Sequence, residues 1–252
     1  EIFARYCTHV VEKLGDEAKY WITINEPLVW SSGGYRTGKW PPFKKNLLSF
    51  LGVQNSLAKA HNLAFLEMKK RNTNIEVGIA KNNIAFLSNG SMWANGVASF
   101  MNWFWNERFL NKISSHQDFM GLNHYFYKKF GSREKFPQSD MGWDIVPVSI
   151  YHTLLKLKKY NKPIYITENG LADASDEKRP SFIADYTYEV SKAIGVGVDV
   201  RGYFYWSLLD NFEWSYGFTR RFGLVEVDYS TLERKVRKSA LVYKEIIEKS
   251  KV

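Results

Sequence analysis

The stretch "YWITINEP" (residues 20–27) has the composition of a buried strand, yet it ends on a carboxylate and a proline. The run from Tyr20 to Ile24 is aromatic and β-branched, as in strands that pack on both faces. Glu26 follows at the strand end, where burial of a charge is costly unless it is paired or neutralised. Taken alone, Glu26 fits the first solvated residue of a loop, and the rest of the chain must decide whether it is more.

A second stretch, "PIYITENG" (163–170), repeats this arrangement and ends its strand on Glu168. The carboxyl ends of parallel strands lie at one edge of a sheet, so both glutamates are predicted to face the same cleft. Two carboxyl groups that face one cleft are the equipment of a glycoside hydrolase. One gives a proton to the leaving oxygen, and the other attacks the anomeric carbon or activates water.

Strand and helix patterns alternate along the chain. This alternation predicts a parallel sheet with helices packed outside it and right-handed crossovers. No linker composition divides the sequence, so one domain is expected over residues 1–252. Strands are predicted at 19–25, 75–82, 118–127, 162–169 and 200–208, and helices at 3–14, 47–71, 91–110, 147–160, 180–194 and 235–249.

Five parallel strands fit either an open doubly wound sheet or part of an eight-stranded barrel. The glycine-rich phosphate motif that a dinucleotide-binding sheet needs after its first strand is absent. The candidate residues follow strands, which is the catalytic face of a (β/α)8 barrel. The expected fold class is therefore an α/β TIM barrel, incomplete, with about five C-terminal βα units.

Composition narrows the class of protein. The chain is 45% apolar and 24% charged, as in ordinary globular proteins. The net charge of +9 comes from basic residues dispersed over helical patterns, so nucleic-acid binding is not expected. No run approaches the roughly 20 apolar residues of a membrane helix. The single Cys7 rules out an internal disulfide and, with no visible signal peptide, favours a cytoplasmic location.

Metal and cofactor chemistry is not expected, because the five histidines have no metal-ligand spacing. His61 lies in an apolar helical pattern and is predicted to be structural. The chain also opens inside a helical pattern without an N-cap or an initial methionine, so an N-terminally truncated sequence is expected.

A third stretch, "WSLLDNFEWSYGF" (206–218), concentrates aromatic and acidic residues after the fifth strand. Sugars bind through flat apolar faces and through paired acceptors for neighbouring hydroxyls, and this stretch offers both. The alternative is a loop with core tryptophans and a helix-capping Asp210, and the stretch alone does not separate the two.

Together, "TINEP" (23–27), "GLNHY" (121–125), "ITENG" (166–170) and "WSLLDNFEW" (206–214) resemble the signature set of family 1 glycoside hydrolases, the β-glucosidase and β-galactosidase family. The motifs stand in that family's order, and the resemblance extends from about residue 1 to the C-terminus. It implies a (β/α)8 barrel in which the strands of this chain correspond to strands four to eight.

The resemblance also implies roles for single residues. Glu26 would be the general acid/base and Glu168 the nucleophile, with Tyr125 hydrogen-bonded to the nucleophile. The implied substrate contacts are Asn25 (2-hydroxyl), Asn123, Trp206 (floor), Glu213 (4- and 6-hydroxyls), Trp214 (3-hydroxyl side), Phe222 (near C6) and Trp143 (aglycone side).

The expected activity is therefore retaining hydrolysis of terminal, non-phosphorylated β-D-glycosyl residues in small glycosides or oligosaccharides. In such enzymes the carboxyl groups lie about 5–5.5 Å apart, so one holds its proton. A carboxylate at Glu213 would repel a 6-phosphate.

Without the first three strands, the chain alone is expected to be inactive or impaired. The alternatives are a non-catalytic carbohydrate-binding or structural remnant and, less favoured, an open-sheet nucleotide enzyme. Which sugar is preferred, and the oligomeric state, stay open.

Overall fold

The computed structural model describes residues 1–250. Its strands are β1 Tyr20–Asn25, β2 Glu76–Asn82, β3 Ala85–Ser88, β4 Phe119–Asn123, β5 Tyr127–Phe130, β6 Ile164–Asn169, β7 Val200–Tyr205, β8 Val225–Val227 and β9 Arg234–Val236. Its α-helices are α1 Ile2–Leu14, α2 Pro27–Ser31, α3 Leu47–Arg71, α4 Met92–Met101, α5 Arg108–Ile113, α6 Val148–Leu157, α7 Arg179–Gly195 and α8 Lys238–Lys249.

The main sheet has five strands in the order β1-β2-β4-β6-β7, and every neighbouring pair is parallel. At least one helix of the outer layer lies between each pair of strands in sequence, so each connection is a βα crossover. The predicted incomplete barrel of about five βα units is confirmed, and β1 and β7 are its two edge strands.

Register sorts the side chains onto the two faces of the sheet. Ile79 pairs with Met120 and Met120 with Ile164, and all three belong to the core between the sheet and the helices. On the opposite face, the rings of Tyr20, Phe119 and Tyr165 meet with centroids 5.3–5.9 Å apart, near the amino ends of the strands. The upper part of that face, at the carboxyl ends of the strands, is left for polar side chains.

One predicted strand proved too long. The predicted strand at 118–127 ends at Asn123, and Tyr127–Phe130 forms β5, which pairs with β3 in a separate two-stranded sheet. The chain leaves the main sheet after His124, which is buried and held on three sides. Its backbone N–H donates to the carbonyl of Glu168, and its ring bonds to the carbonyl of Asn83 and the hydroxyl of Ser149.

The structure also differs from two other predicted boundaries. The strand predicted at 200–208 ends at Tyr205. The helix predicted from 235 begins at Lys238, because Arg234–Val236 pairs instead with β8 in an antiparallel hairpin. The helix predicted at 91–110 exists but contains a π-helical segment at Asn102–Glu107. None of these shifts changes the order of the main sheet.

His61 has the structural role predicted for it. It is fully buried, its Nε2 lies 2.7 Å from the carbonyl of His116, and its Nδ1 lies 2.6 Å from the hydroxyl of Thr23. The ring therefore ties α3 to β1 at the base of the site. Within residues 1–250, no helix combines the length and the apolar character that spanning a membrane requires.

Candidate active site

Glu26 sits where β1 turns into α2. Its backbone is left-handed, with φ 47° and ψ 56°, a region that non-glycine residues rarely occupy. Its backbone N–H donates to the carbonyl of Ala80 on β2 over 2.8 Å, and Pro27 starts the helix. The carboxyl group is therefore mounted on a bend that the sheet and the proline both fix.

Glu168 lies near the end of β6 and is held by two side chains. The hydroxyl of Tyr125 donates to its Oε2 over 2.9 Å, and Nδ2 of Asn25 donates to its Oε1 over 3.3 Å. Both donors are better partners for a carboxylate than for a carboxylic acid. The site therefore orients Glu168 in its ionised form.

Asn123 joins the two glutamates. Its Nδ2 donates to Oε1 of Glu26 and to Oδ1 of Asn25, each over 3.1 Å. Its Oδ1 accepts from the hydroxyl of Thr167 over 2.6 Å, which fixes the orientation of the amide. Asn25 contacts Glu168 in turn, so a continuous chain of hydrogen bonds runs from one carboxyl group to the other.

The pKa values of the two carboxyl groups are raised for partly different reasons. The pKa of Glu26 is raised to about 7, first by burial, then by the charge of Glu168 and less by that of Glu213, while the hydrogen bond from Asn123 and the charge of Lys81 lower it. Burial also raises the pKa of Glu168, but the hydrogen bonds from Tyr125 and Asn25 work against it. The environment thus favours a proton on Glu26 beside a charged Glu168.

Tyr125 is a stable donor with an aromatic support. Burial and the charge of Glu168 raise the pKa of Tyr125 well above its usual value, so it keeps its proton. The indole of Trp143 packs edge-on against the rings of Tyr125 and Phe126, with centroids 5.5 and 4.7 Å away. Buried Phe222 lies 6.2 Å from the same indole. Trp143 and Phe222 therefore belong to the aromatic cluster behind the tyrosine.

The segment after β7 supplies the remaining candidates. Glu213 is half-buried, and burial together with the charge of Glu168 raises its pKa, so it shares the electrostatic field of the pair. Trp206 directly follows β7, and its backbone N–H donates to the carbonyl of Asn169 on β6. Trp214 is 63% exposed, and its ring stacks on Trp40.

Three neighbours of the site were not singled out from the sequence. Thr167 anchors the amide of Asn123, and Trp40 stacks on Trp214. Lys81 is 1% exposed, and its ammonium donates to the carbonyl of Asn82 and to Oδ1 of Asn83. Burial lowers the pKa of Lys81 to about 7, while the charge of Glu26 raises it. A lysine within the apolar pattern of "IEVGIAKN" was the signal available for it.

Among the residues that the structure describes, no cluster of three His, Cys, Asp or Glu side chains could hold a metal ion. The site therefore consists of an acid pair, amide donors and aromatic rings. Such a set can move a proton to an oxygen, present a carboxylate to an electrophilic carbon and stack against a sugar ring.

Comparison with known proteins places this arrangement in a family. The model of glycosyl hydrolase family 1 matches residues 1–109 and 104–252. The chain is 35% identical to the beta-galactosidase of Sulfolobus acidocaldarius, over 97% of this chain and 57% of that protein. It is 32% identical to beta-glucosidase A of Acetivibrio thermocellus, over 98% of this chain and 68% of that protein.

A solved structure shows the same fold. The beta-glucosidase from Thermotoga maritima in complex with methoxycarbonyl-substituted glucoimidazole superimposes with a TM-score of 0.90 at 31% sequence identity. The match covers 99% of this chain and 68% of that one. The chain thus spans between 57% and 68% of the length of these three proteins.

Proposed function

Because the chain belongs to glycosyl hydrolase family 1, we propose that it carries the acid/base and the nucleophile of a retaining β-glycosidase. The observation that carries the proposal is the hydrogen-bonded chain Glu26–Asn123–Asn25–Glu168, with the pKa of Glu26 raised to about 7. Glu26 and Glu168 thus start from the protonation states that the retaining reaction needs.

In the first step, the carboxylate of Glu168 attacks the anomeric carbon while Glu26 gives its proton to the departing glycosidic oxygen. The new bond neutralises Glu168, so the charge that raised the pKa of Glu26 disappears. Glu26 can then take a proton from water, whose oxygen attacks the anomeric carbon and releases Glu168. Tyr125 holds the nucleophile through both steps.

We propose unphosphorylated sugars as the substrates, since the family resemblance assigns Glu213 to the 4- and 6-hydroxyls, where its carboxylate would repel a 6-phosphate. The nearby arginines are already engaged. Arg220 donates to the carbonyl of Asp140 over 2.7 Å. Arg221 pairs with Asp210 and donates to the carbonyl of Val227. Similar proteins are named beta-galactosidase and beta-glucosidase A, so gluco- and galacto-configured β-glycosides are the first candidates.

The described sheet has five strands, and a closed barrel of this family has eight. We therefore propose that the 252-residue chain by itself is inactive or impaired. The second candidate, a carbohydrate-binding or structural protein without turnover, is favoured by the exposed rings of Trp214, Tyr216 and Phe218 at the mouth. A cytoplasmic location stays a prediction that rests on the single cysteine.

The test uses the natural gene product that contains these residues, with 4-nitrophenyl β-D-glucoside and β-D-galactoside as substrates. Turnover lost in Glu168→Gly and restored by azide, with an α-glycosyl azide as product, identifies Glu168 as the nucleophile. Glu26→Ala with azide should give the β-glycosyl azide, because the enzyme nucleophile is still present. Sugar binding without turnover in the wild type would favour the second candidate and contradict the first.

A further inference from the structure

Glu26, the proposed acid/base, and Glu213, the acid proposed to contact the sugar, lie on segments that follow opposite edge strands of the sheet. Glu26 follows edge strand β1, and Glu213 follows edge strand β7. Three strands separate these edges, so β1 and β7 do not pair with each other directly within residues 1–250. A contact between the two segments would restrain the spacing across the mouth in addition to the sheet itself.

Trp40 and Trp214 make such a contact. Their rings stack with centroids 5.3 Å apart and an interplanar angle of 22°. Trp40 lies in the segment between α2 and α3, and Trp214 follows Glu213 directly. Within residues 1–250 this is the one stacked pair of indoles. Offset stacking of large aromatic rings is stabilising beyond the area that it buries.

Trp40 is the anchored partner of the two. Its indole lies against Gly33, where any β-carbon would overlap the ring. The backbone N–H groups of Lys39 and Trp40 both donate to the carbonyl of Gly33, over 2.9 and 3.2 Å. The carbonyl of Trp40 accepts from the N–H of Phe43 over 2.7 Å. The ring is thus fixed onto the helical turn that follows Glu26.

Trp214 is the weakly held partner. It is 63% exposed, and its φ is 42°, a left-handed conformation that a bulky residue adopts only when its surroundings impose it. The short turn around it closes through the bond from the N–H of Glu213 to the carbonyl of Gly217. No hydrogen bond of the indole is present in the described residues, so the stack on Trp40 is what restrains the side chain.

We propose that Trp40 is a positioning residue that holds the loop carrying Glu213 and Trp214 against the acid pair, as a clasp across the open side of the sheet. The proposal rests on the proposed function, since Glu213 and Trp214 matter here as sugar contacts. Trp40 lies outside the acid pair and its hydrogen-bond network. It acts on the substrate only through Trp214, on which its ring stacks.

Circular dichroism tests the stack without any substrate. Two indoles in contact give an exciton couplet in the far ultraviolet when their transition dipoles are skewed, and these two rings are tilted by 22°. Trp40→Ala and Trp214→Ala should each remove the same couplet from the wild-type spectrum. Trp93→Ala, which alters an exposed tryptophan on α4 that has no aromatic partner within residues 1–250, should leave the couplet in place. A couplet that survives Trp40→Ala would show that these two indoles do not stack and would overturn the clasp.

Trypsin tests whether the clasp holds the loop. In Trp40→Ala, cleavage after Arg220 in the loop should be faster than in the wild type by about tenfold, the scale of one aromatic contact. Cleavage after Arg71, at the end of α3, serves as an internal control and should be unchanged. Trp40→Phe keeps a ring for stacking, so it should restore the slow cleavage although the couplet is gone. Equal cleavage of Trp40→Ala and wild type would contradict the proposal.

Calorimetry with phenyl 1-thio-β-D-glucoside links the clasp to the sugar. Trp40→Ala should weaken binding by about tenfold, with Trp40→Phe close to the wild type. Equal binding by Trp40→Ala and wild type would contradict the positioning role. If the natural gene product shows the couplet and the protected loop but binds no glucoside, the clasp stands and the proposed function fails.

Discussion

Tyr125 donates its hydroxyl to Oε2 of Glu168 over 2.9 Å, and burial keeps that hydroxyl protonated. The bond lowers the pKa of Glu168, so Tyr125→Phe should raise it and move the acidic limb of the kcat/KM profile to higher pH. A hydrogen bond to a charged group contributes about 1.5–3 kcal/mol, so kcat should fall by roughly 10- to 100-fold. Tyr127→Phe, on β5, is the control and should change neither quantity.

Asn123→Ala should raise the pKa of Glu26 above about 7, because the bond from Asn123 lowers that pKa in the intact site. The basic limb of kcat/KM should move to higher pH, since Glu26 acts as the protonated acid. Isotope-edited infrared titration of the carboxyl groups measures the shift directly. Thr167→Val keeps the amide but loses its anchor, so its shift should be smaller and of the same sign. A downward shift in Asn123→Ala would contradict this account.

Glu168→Gln should lower the pKa of Glu26 from about 7, since it removes the largest charge that raises it. The pKa should stay above 4.5, because burial, the larger cause, remains. Glu213→Gln should shift it in the same direction by less. The titration needs no turnover, so it examines the coupling of the acid pair separately from catalysis. If Glu26 still titrates near 7 in Glu168→Gln, the two carboxyl groups do not interact as the structure indicates.

The parallel order of the sheet could be predicted from sequence because each strand and helix carries its own periodicity. The end of β4 could not be predicted from sequence in this way. The strand stops at His124, whose ring bonds with Asn83 and Ser149, and those partners are 41 and 25 residues away along the chain. Local pattern contains no information about such a partner, so the predicted strand ran on to 127.

The same distinction applies to the site. Glu26 and Glu168 stand out because a charge at the end of an apolar strand is visible in the sequence. Thr167 does not stand out in the sequence, because its role depends on its hydrogen bond to Asn123 on the neighbouring strand β4. Trp40 was equally hidden, since its partner Trp214 lies on a segment from the opposite edge of the sheet. What escaped prediction is contact between distant segments rather than residue chemistry.

The buried histidines His61 and His124 should make the fold sensitive to acid. Each ring lies between a carbonyl and a hydroxyl, so in the neutral form the nitrogen that faces the carbonyl donates and the other can accept from the hydroxyl. Burial lowers both pKa values from 6.5 to about 4. The unfolded chain therefore takes up more protons between these values, and the free energy of unfolding should fall as pH drops from 6.5 to 4.

Each of these histidines should account for up to about 3 kcal/mol of that loss. Denaturant unfolding at a series of pH values measures it. His124→Gln should reduce the slope of stability against pH in this window, and His9→Gln, which alters an exposed residue on α1, should leave the slope intact. A slope that is unchanged in His124→Gln would mean that the buried ring is already charged.

Lys81 occupies a row of the sheet that is otherwise apolar. Register places it opposite Leu122, which pairs with Ile166, and all three side chains are almost fully buried. Burial lowers the pKa of Lys81 to about 7, against 10.5 for the free side chain. Between these values the unfolded chain binds more protons than the folded one, so the free energy of unfolding should rise with pH from 7 to 10.5.

Lys81→Met should reduce that rise, because it removes the buried cation while keeping an unbranched side chain. It should also raise the pKa of Glu26, which the charge of Lys81 lowers. Lys156→Met is the matched control: burial also lowers the pKa of this lysine, which bonds to the carbonyl of Phe86, and Lys156 does not act on Glu26. Unfolding curves between pH 7 and 10.5 and the infrared titration of Glu26 provide the two measurements. A stability slope retained in Lys81→Met, or a Glu26 pKa that moves as far in Lys156→Met, would show that Lys81 is not the cation that the acid pair senses.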